Sequence, residues 1–96
     1  MSFKVIFLNR ARKDISSAIE WYEKKQTGLG VRFLEMTYAK IDQILLNPNA
    51  FSEKQKNYKE SKIPHFPFLI IYRVFEIEKE ISVISIFHTS RSTKHK

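Results

Sequence analysis

The chain has no cysteine, so disulfide staples and thiolate chemistry are excluded. Glycine is almost as scarce: there are two, both inside Thr27-Gly28-Leu29-Gly30. That spacing fits neither the P-loop nor the dinucleotide-binding fingerprint, and it predicts one sharp turn at a helix end. Of the three prolines, Pro64 and Pro67 lead into one apolar stretch, and Pro48 follows Asn47. No apolar run approaches the ~20 residues a membrane helix needs. Phe3 to Leu8 is too short for a signal peptide and carries no cleavage site, so a cytoplasmic location is expected. The histidines, His65, His88 and His95, show no ligand spacing; neither a metal site nor a cofactor is expected.

What is present is apolar and basic. Hydrophobic residues make up 43% of the 96, too many for a disordered chain. This length predicts a single domain over 1–96 with a modest core. Seventeen basic residues against ten acidic ones leave a net charge of +7. Such a surplus suits an anionic partner, either nucleic acid or an acidic protein; ordinary solubility is the plain alternative.

The longest apolar stretch is Phe68-Leu69-Ile70-Ile71-Tyr72-Arg73-Val74-Phe75, interrupted only by Arg73. It is apolar at both alternate sets of positions, which predicts a central strand with a layer packed on at least one face. Pro67, lacking an N–H, belongs at its start. Phe3 to Leu8 predicts a first strand, and Asn9 is placed to cap the helix that follows. From Ala11 the period becomes helical, with Ala11, Ile15, Ala18, Ile19 and Tyr22 on one face and Trp21 on its shoulder. Trp21 and Tyr22 are expected to pack in the core. A second helix, from about Gly30 to Leu46, carries Phe33, Leu34, Thr37, Tyr38, Ile41, Ile44 and Leu45 on one wide apolar face, and Asn47-Pro48 stops it. The two helices should form an antiparallel hairpin. Asn49 to Gln55 is expected to be a loop anchored by Phe51, and Lys56 to Ile63 a polar edge strand. Glu76 to Glu80 turns into a last strand, Ile81 to His88, followed by a basic tail over about 89–96. The order is β-α-α-β-β-β: an α+β fold with the helical hairpin packed on a small antiparallel sheet.

A basic and aromatic set remains for chemistry: Lys54, Lys56, Tyr58, Lys59, Lys62, Arg73, His88, Arg91, Lys94 and His95. Lys59, Arg73 and the His88–Arg91 turn could meet on or beside one sheet face and bind phosphates. They could also cleave RNA without a metal, with His88 as acid or base and Lys59 and Arg91 stabilising charge. The bland reading is a solvated basic edge that blocks aggregation.

Fragments of the chain also occur in a telling order. They are Ala11-x-x-Asp14-Ile15, Trp21-Tyr22-Glu23, Gly28-Leu29-Gly30-x-x-Phe33, Asn47-Pro48, Phe66-Pro67-Phe68-x-Ile70-x-Tyr72 and His88-x-x-Arg91. This set resembles the RelE/ParE superfamily, the toxins of type II toxin–antitoxin systems, often labelled plasmid stabilisation proteins. The resemblance runs from about Phe3 to Ser92. It implies a growth-inhibiting toxin restrained by a cognate antitoxin. It leaves the target divided. ParE-like members bind and poison DNA gyrase, whereas RelE-like members are ribosome-dependent, metal-independent mRNA endonucleases. Leu69 stands where the RelE-type set has an arginine, and His88-x-x-Arg91 matches the ParE-like branch better. An inactive member that only binds its antitoxin is the third possibility. With a basic toxin, an acidic, partly disordered antitoxin tail is expected to fold on binding. Arg12, Lys13, Trp21, Leu46 and Arg73 are its candidate contacts, or those of the target.

Overall fold

The computed structural model describes residues 3–49, 53–55 and 58–92. The elements in chain order are β1 (Lys4–Phe7), α1 (Asn9–Lys25), α2 (Leu29–Leu46), β2 (Glu53–Gln55), β3 (Tyr58–Lys62), β4 (Phe68–Phe75), β5 (Glu80–His88) and the single turn α3 (Thr89–Ser92). They form one sheet in the order β1-β5-β4-β3-β2, with the helical hairpin on one face.

Phe68–Phe75 is the central strand, as its apolar run predicts. It pairs antiparallel with β3 (Ser61 opposite Ile70) and with β5 (Ile70 opposite Ile86). Two points differ from expectation. The sheet is mixed rather than antiparallel, because β1 runs parallel to β5, with Phe7 opposite Val83. Nothing inside a four-residue strand fixes its direction; that follows from which neighbour the returning chain lays beside it. The stretch expected as a loop also contains β2, which pairs Glu53 with Lys59 and takes the edge position from β3. Phe51, Lys56, Lys94 and His95 lie outside the described residues.

The hairpin is tied by a carboxylate. Glu23, near the end of α1, accepts the Gly28 N–H at 2.8 Å and the Gly30 N–H at 2.9 Å. It thereby satisfies two amides at the start of α2, where N–H groups lack helical partners. Gly28 has φ 90°, a left-handed conformation that glycine adopts without Cβ strain. Gly30 is needed for closeness: a Cβ there would lie 2.6 Å from the Ile19 carbonyl oxygen. Asn9 is the first residue of α1 rather than its cap. The cap position is Leu8, and no side chain caps there.

The core lies between hairpin and sheet. Tyr22, Phe33, Phe66 and Phe68 form an aromatic cluster, with Tyr22 and Phe66 ring centroids 4.9 Å apart at 68°. Ile70, Tyr72, Ile81 and Val83 complete the sheet side. The Tyr72 hydroxyl donates to the Pro48 carbonyl at 3.4 Å, and burial pushes its pKa up to about 12. Trp21 differs from the expected core packing. Its helical position faces outward and it is 52% exposed, while Tyr22 beside it is buried.

Candidate functional site

The face of the sheet away from the helices is the first candidate. Strand alternation puts Leu69, Ile71, Arg73 and Phe75 of β4 on this side, because Phe68, Ile70 and Tyr72 point into the core. Tyr58 of β3 and Ile84 and Phe87 of β5 join them. None of these side chains is fully buried. The centre of the face is aliphatic and aromatic, with Arg73 as its cation and Glu60 of β3, opposite Ile71, as its carboxylate. The Arg73 guanidinium carbon lies 4.9 Å from the Phe75 ring centroid and 5.4 Å from that of Tyr58. Its Nε is buried and has no hydrogen-bond partner among the described residues. Lys62, toward the other end of β3, is committed to structure. Its Nζ donates to the Phe66 carbonyl at 3.0 Å and the Ile63 carbonyl at 3.3 Å, steadying the lead-in to β4.

The second candidate is a cleft of about 670 Å³ between α1 and the end of β5, with Arg10, Asp14, Trp21, Phe87 and His88 in its lining. Asp14 closes its floor. One carboxylate oxygen accepts the Ile86 N–H at 3.0 Å and the Ser85 hydroxyl at 3.1 Å. The register of β5 against β4 shifts beside this contact, leaving Ile84 as the extra residue. His88 stands opposite Phe68 on the helix side, with ring centroids 4.9 Å apart. Its Nδ1 accepts the Ser90 N–H at 3.2 Å. The Thr89 N–H and hydroxyl both donate to the Pro67 carbonyl, at 2.9 and 3.3 Å, which fixes the turn carrying Arg91.

The basic residues singled out in the sequence are therefore distributed over several surfaces. Lys59 pairs with Tyr72 and His88 with Phe68, on opposite flanks of β4. Four residues of strand and two strand spacings separate them by roughly 17 Å between backbones. Arg73 lies on the opposite face from both. The expectation that Lys59, Arg73 and His88 meet on one face thus fails, because odd and even strand positions diverge. Arg91 is placed by its backbone in α3, one turn beyond His88. Arg12 and Lys13 are exposed on α1. Trp21 lines the cleft with the Lys25 ammonium 4.8 Å from its ring centroid, and Leu46, 87% exposed, ends α2. Sequence reasoning missed the partners of Asp14 and Glu23. For Glu23 the signal was available: a carboxylate one helical turn before a Gly-x-Gly turn can reach back to its amides. For Asp14 the partners are 71 and 72 residues away, beyond local pattern. No group of three metal-ligating side chains occurs among the described residues, and no described helix is long and apolar enough to cross a membrane.

Solved structures share this arrangement. A chain from the chromosomal ParDE toxin–antitoxin system of P. aeruginosa superposes with TM-score 0.77 at 13% identity, covering 90% of this chain and 95% of that one. A substituted E. coli RelE toxin in the free state gives TM-score 0.73 at 19% identity, with 99% and 92% covered. A chain of the intact E. coli RelBE toxin–antitoxin complex gives 0.61 at 22% identity, with 91% and 95% covered. At these identities the likeness establishes the fold. No curated protein sequence matches. The family model described as "ParE toxin of type II toxin-antitoxin system, parDE" matches residues 5–93. A match over nearly the whole length, on a fold shared with ParDE and RelE structures, makes this chain a member of the ParE toxin family of type II toxin–antitoxin systems.

Proposed function

We propose that this toxin arrests growth by binding DNA gyrase in the cytoplasm, and that a cognate acidic antitoxin holds it inactive. The observation that carries the reading is the character of the open sheet face. Cleaving RNA on that face would call for an acid, a base and cations converging on one phosphate. Its centre instead carries Leu69, Ile71, Ile84 and Phe87, with Arg73 beside two rings and Glu60, opposite Ile71, as the carboxylate of this face. Half-buried apolar surface of this kind, open on one side, suits protein docking, where aromatic and arginine side chains supply most of the binding energy. Lys59 and His88 stand too far apart to act on one scissile bond. The resemblance points the same way, since Leu69 replaces the RelE-type arginine. The antitoxin has exposed contacts available at Arg12, Lys13, Trp21 and Leu46 on the hairpin.

The test is induced expression with two readouts in parallel, gyrase-dependent plasmid supercoiling and protein synthesis with mapping of mRNA ends. Loss of supercoiling ahead of any change in translation is expected. Cleavage of ribosome-bound mRNA with supercoiling intact would replace this reading by the endonuclease one, with His88 and Arg91 as its first residues to examine. Growth unaffected by either route would mark an inactive, antitoxin-binding member.

A further inference from the structure

Arg73 is an unusual residue for the middle of an apolar sheet face. Its guanidinium is flanked by Phe75 on its own strand and Tyr58 on β3, at 4.9 and 5.4 Å. Its Nε is buried without a hydrogen-bond partner among the described residues. No carboxylate of a described residue pairs with it. A buried donor left unmade costs the desolvation of that group, and native proteins rarely tolerate it without a use. Packing beside two rings also restricts the guanidinium, so less freedom is lost when the fork meets a planar anion.

We propose that Arg73 is the receptor for one carboxylate of the antitoxin: an Asp or Glu side chain flanked by apolar residues, laid across the open face so that its apolar neighbours meet Ile71, Ile84 and Phe75. This rests on the reading above, in which that face is the working surface and the antitoxin is acidic. It adds how neutralisation works: the antitoxin covers the surface the target needs. The choice of a protein carboxylate over a nucleic-acid phosphate follows from the surroundings. A phosphate backbone is served by several exposed cations in a row. Here Arg73 sits beside Tyr58, Phe75 and Ile71, with the Glu60 carboxylate opposite Ile71 on the same face, and the Lys62 ammonium near the other end of β3 is taken up by two carbonyls. A bidentate, charge-assisted pair in such a setting is strong and geometrically selective.

The test uses the full-length toxin and the acidic protein encoded by its adjoining reading frame. In the ¹⁵N-labelled toxin, the Arg73 Nε–H resonance should shift on adding that protein, and a single-stranded RNA oligonucleotide should leave it in place. Arg73→Gln should weaken the complex at least about tenfold. Arg73→Lys, which keeps the charge but loses the fork, should recover only part of that loss. A double-mutant cycle with Asp→Asn and Glu→Gln changes in the antitoxin should show coupling at one position. An Arg73→Lys or Arg73→Gln toxin with native melting behaviour and wild-type affinity overturns the assignment. So does an Nε–H resonance unmoved in the complex, whether or not the variants fold, and so does one that responds to RNA alone. The supercoiling assay on the wild-type toxin is independent of all these. A toxin that inhibits gyrase but fails them loses only the Arg73 assignment, whereas one that does not inhibit gyrase loses the reading beneath it.

Discussion

Gly30→Ala sets two effects of opposite sign against each other. Gly30 lies in the first turn of α2, and alanine is favoured over glycine in a helix by about 0.8–1.0 kcal/mol. Propensity alone therefore predicts a more stable protein. The structure predicts the reverse. An added Cβ would lie 2.6 Å from the Ile19 carbonyl oxygen, 2.9 Å from Glu23 Oε1 and 3.1 Å from Ile19 Cγ2. The first of these is backbone, so relief requires α1 and α2 to separate. Separation would loosen Phe33 against Tyr22, whose ring centroids are 5.5 Å apart, and stretch the bond from the Gly30 N–H to Glu23. Overpacking of this kind typically costs about 1–3 kcal/mol, and a lost charge-assisted hydrogen bond about 1.5–3. After subtracting the propensity gain, a net loss of about 3 kcal/mol is expected. For a chain of this size that lowers Tm by about 12–24 °C, with 1 kcal/mol worth roughly 4–8 °C. Thermal unfolding followed by circular dichroism measures it. A Tm equal to or above wild type would show that the helices do not approach as closely as the geometry requires.

Ile70→Asp, at a core position 0% exposed, should leave no folded protein, because an unpaired buried carboxylate costs several kcal/mol out of a total stability of about 5–15. Ile71→Asp, one residue along but on the open face, should fold and melt lower; size-exclusion profiles and melting curves separate the two, and equal behaviour would refute the assignment of faces. Under the binding reading, His88→Ala and Arg91→Ala should each retain growth arrest to within about tenfold in inducer dose, whereas loss of a catalytic acid or base costs ~10²–10⁴ in rate; a plating assay decides. Tyr72 gives a pH signature. Its pKa is raised from 10.0 to about 12 in the folded state, so unfolded chains ionise first and the stability it confers is present below pH 10 and lost as pH rises through 12. Tyr72→Phe should flatten that loss in denaturant melts between pH 9 and 12.

The helices and the central strand were legible because each carries a period that its burial enforces: Ala11, Ile15, Ala18 and Tyr22 on α1, and Phe68, Ile70 and Tyr72 on β4. The direction of β1 and the presence of β2 were not, since short strands take their pairing from distant partners. The fragments that reveal the family are largely scaffolding. Asp14 holds β5, Glu23 and the glycines tie the hairpin, Pro48 receives the Tyr72 hydroxyl, and Pro67 receives Thr89. That explains why the sequence points to a family more sharply than to a target. The residues that keep the fold are those with local signatures, while the open face is defined by a side-chain alternation whose meaning appears only when the helices are known to cover the other side. Arg73 shows the limit: it was legible as a cation on a strand, and its place beside the Tyr58 and Phe75 rings was not.

Asp14 does more than tether a helix. β1 ends opposite Val83, so the outer edge of β5 runs on past its last strand neighbour. A bare strand edge is a template on which another chain can zip up. At Ile86 the amide such a chain would seek is already occupied by a carboxylate from α1. An incoming strand would have to displace a charged group and break its hydrogen bonds to Ser85 and Ile86. A side chain standing in for the missing strand would keep copies of the chain from pairing with one another along this edge.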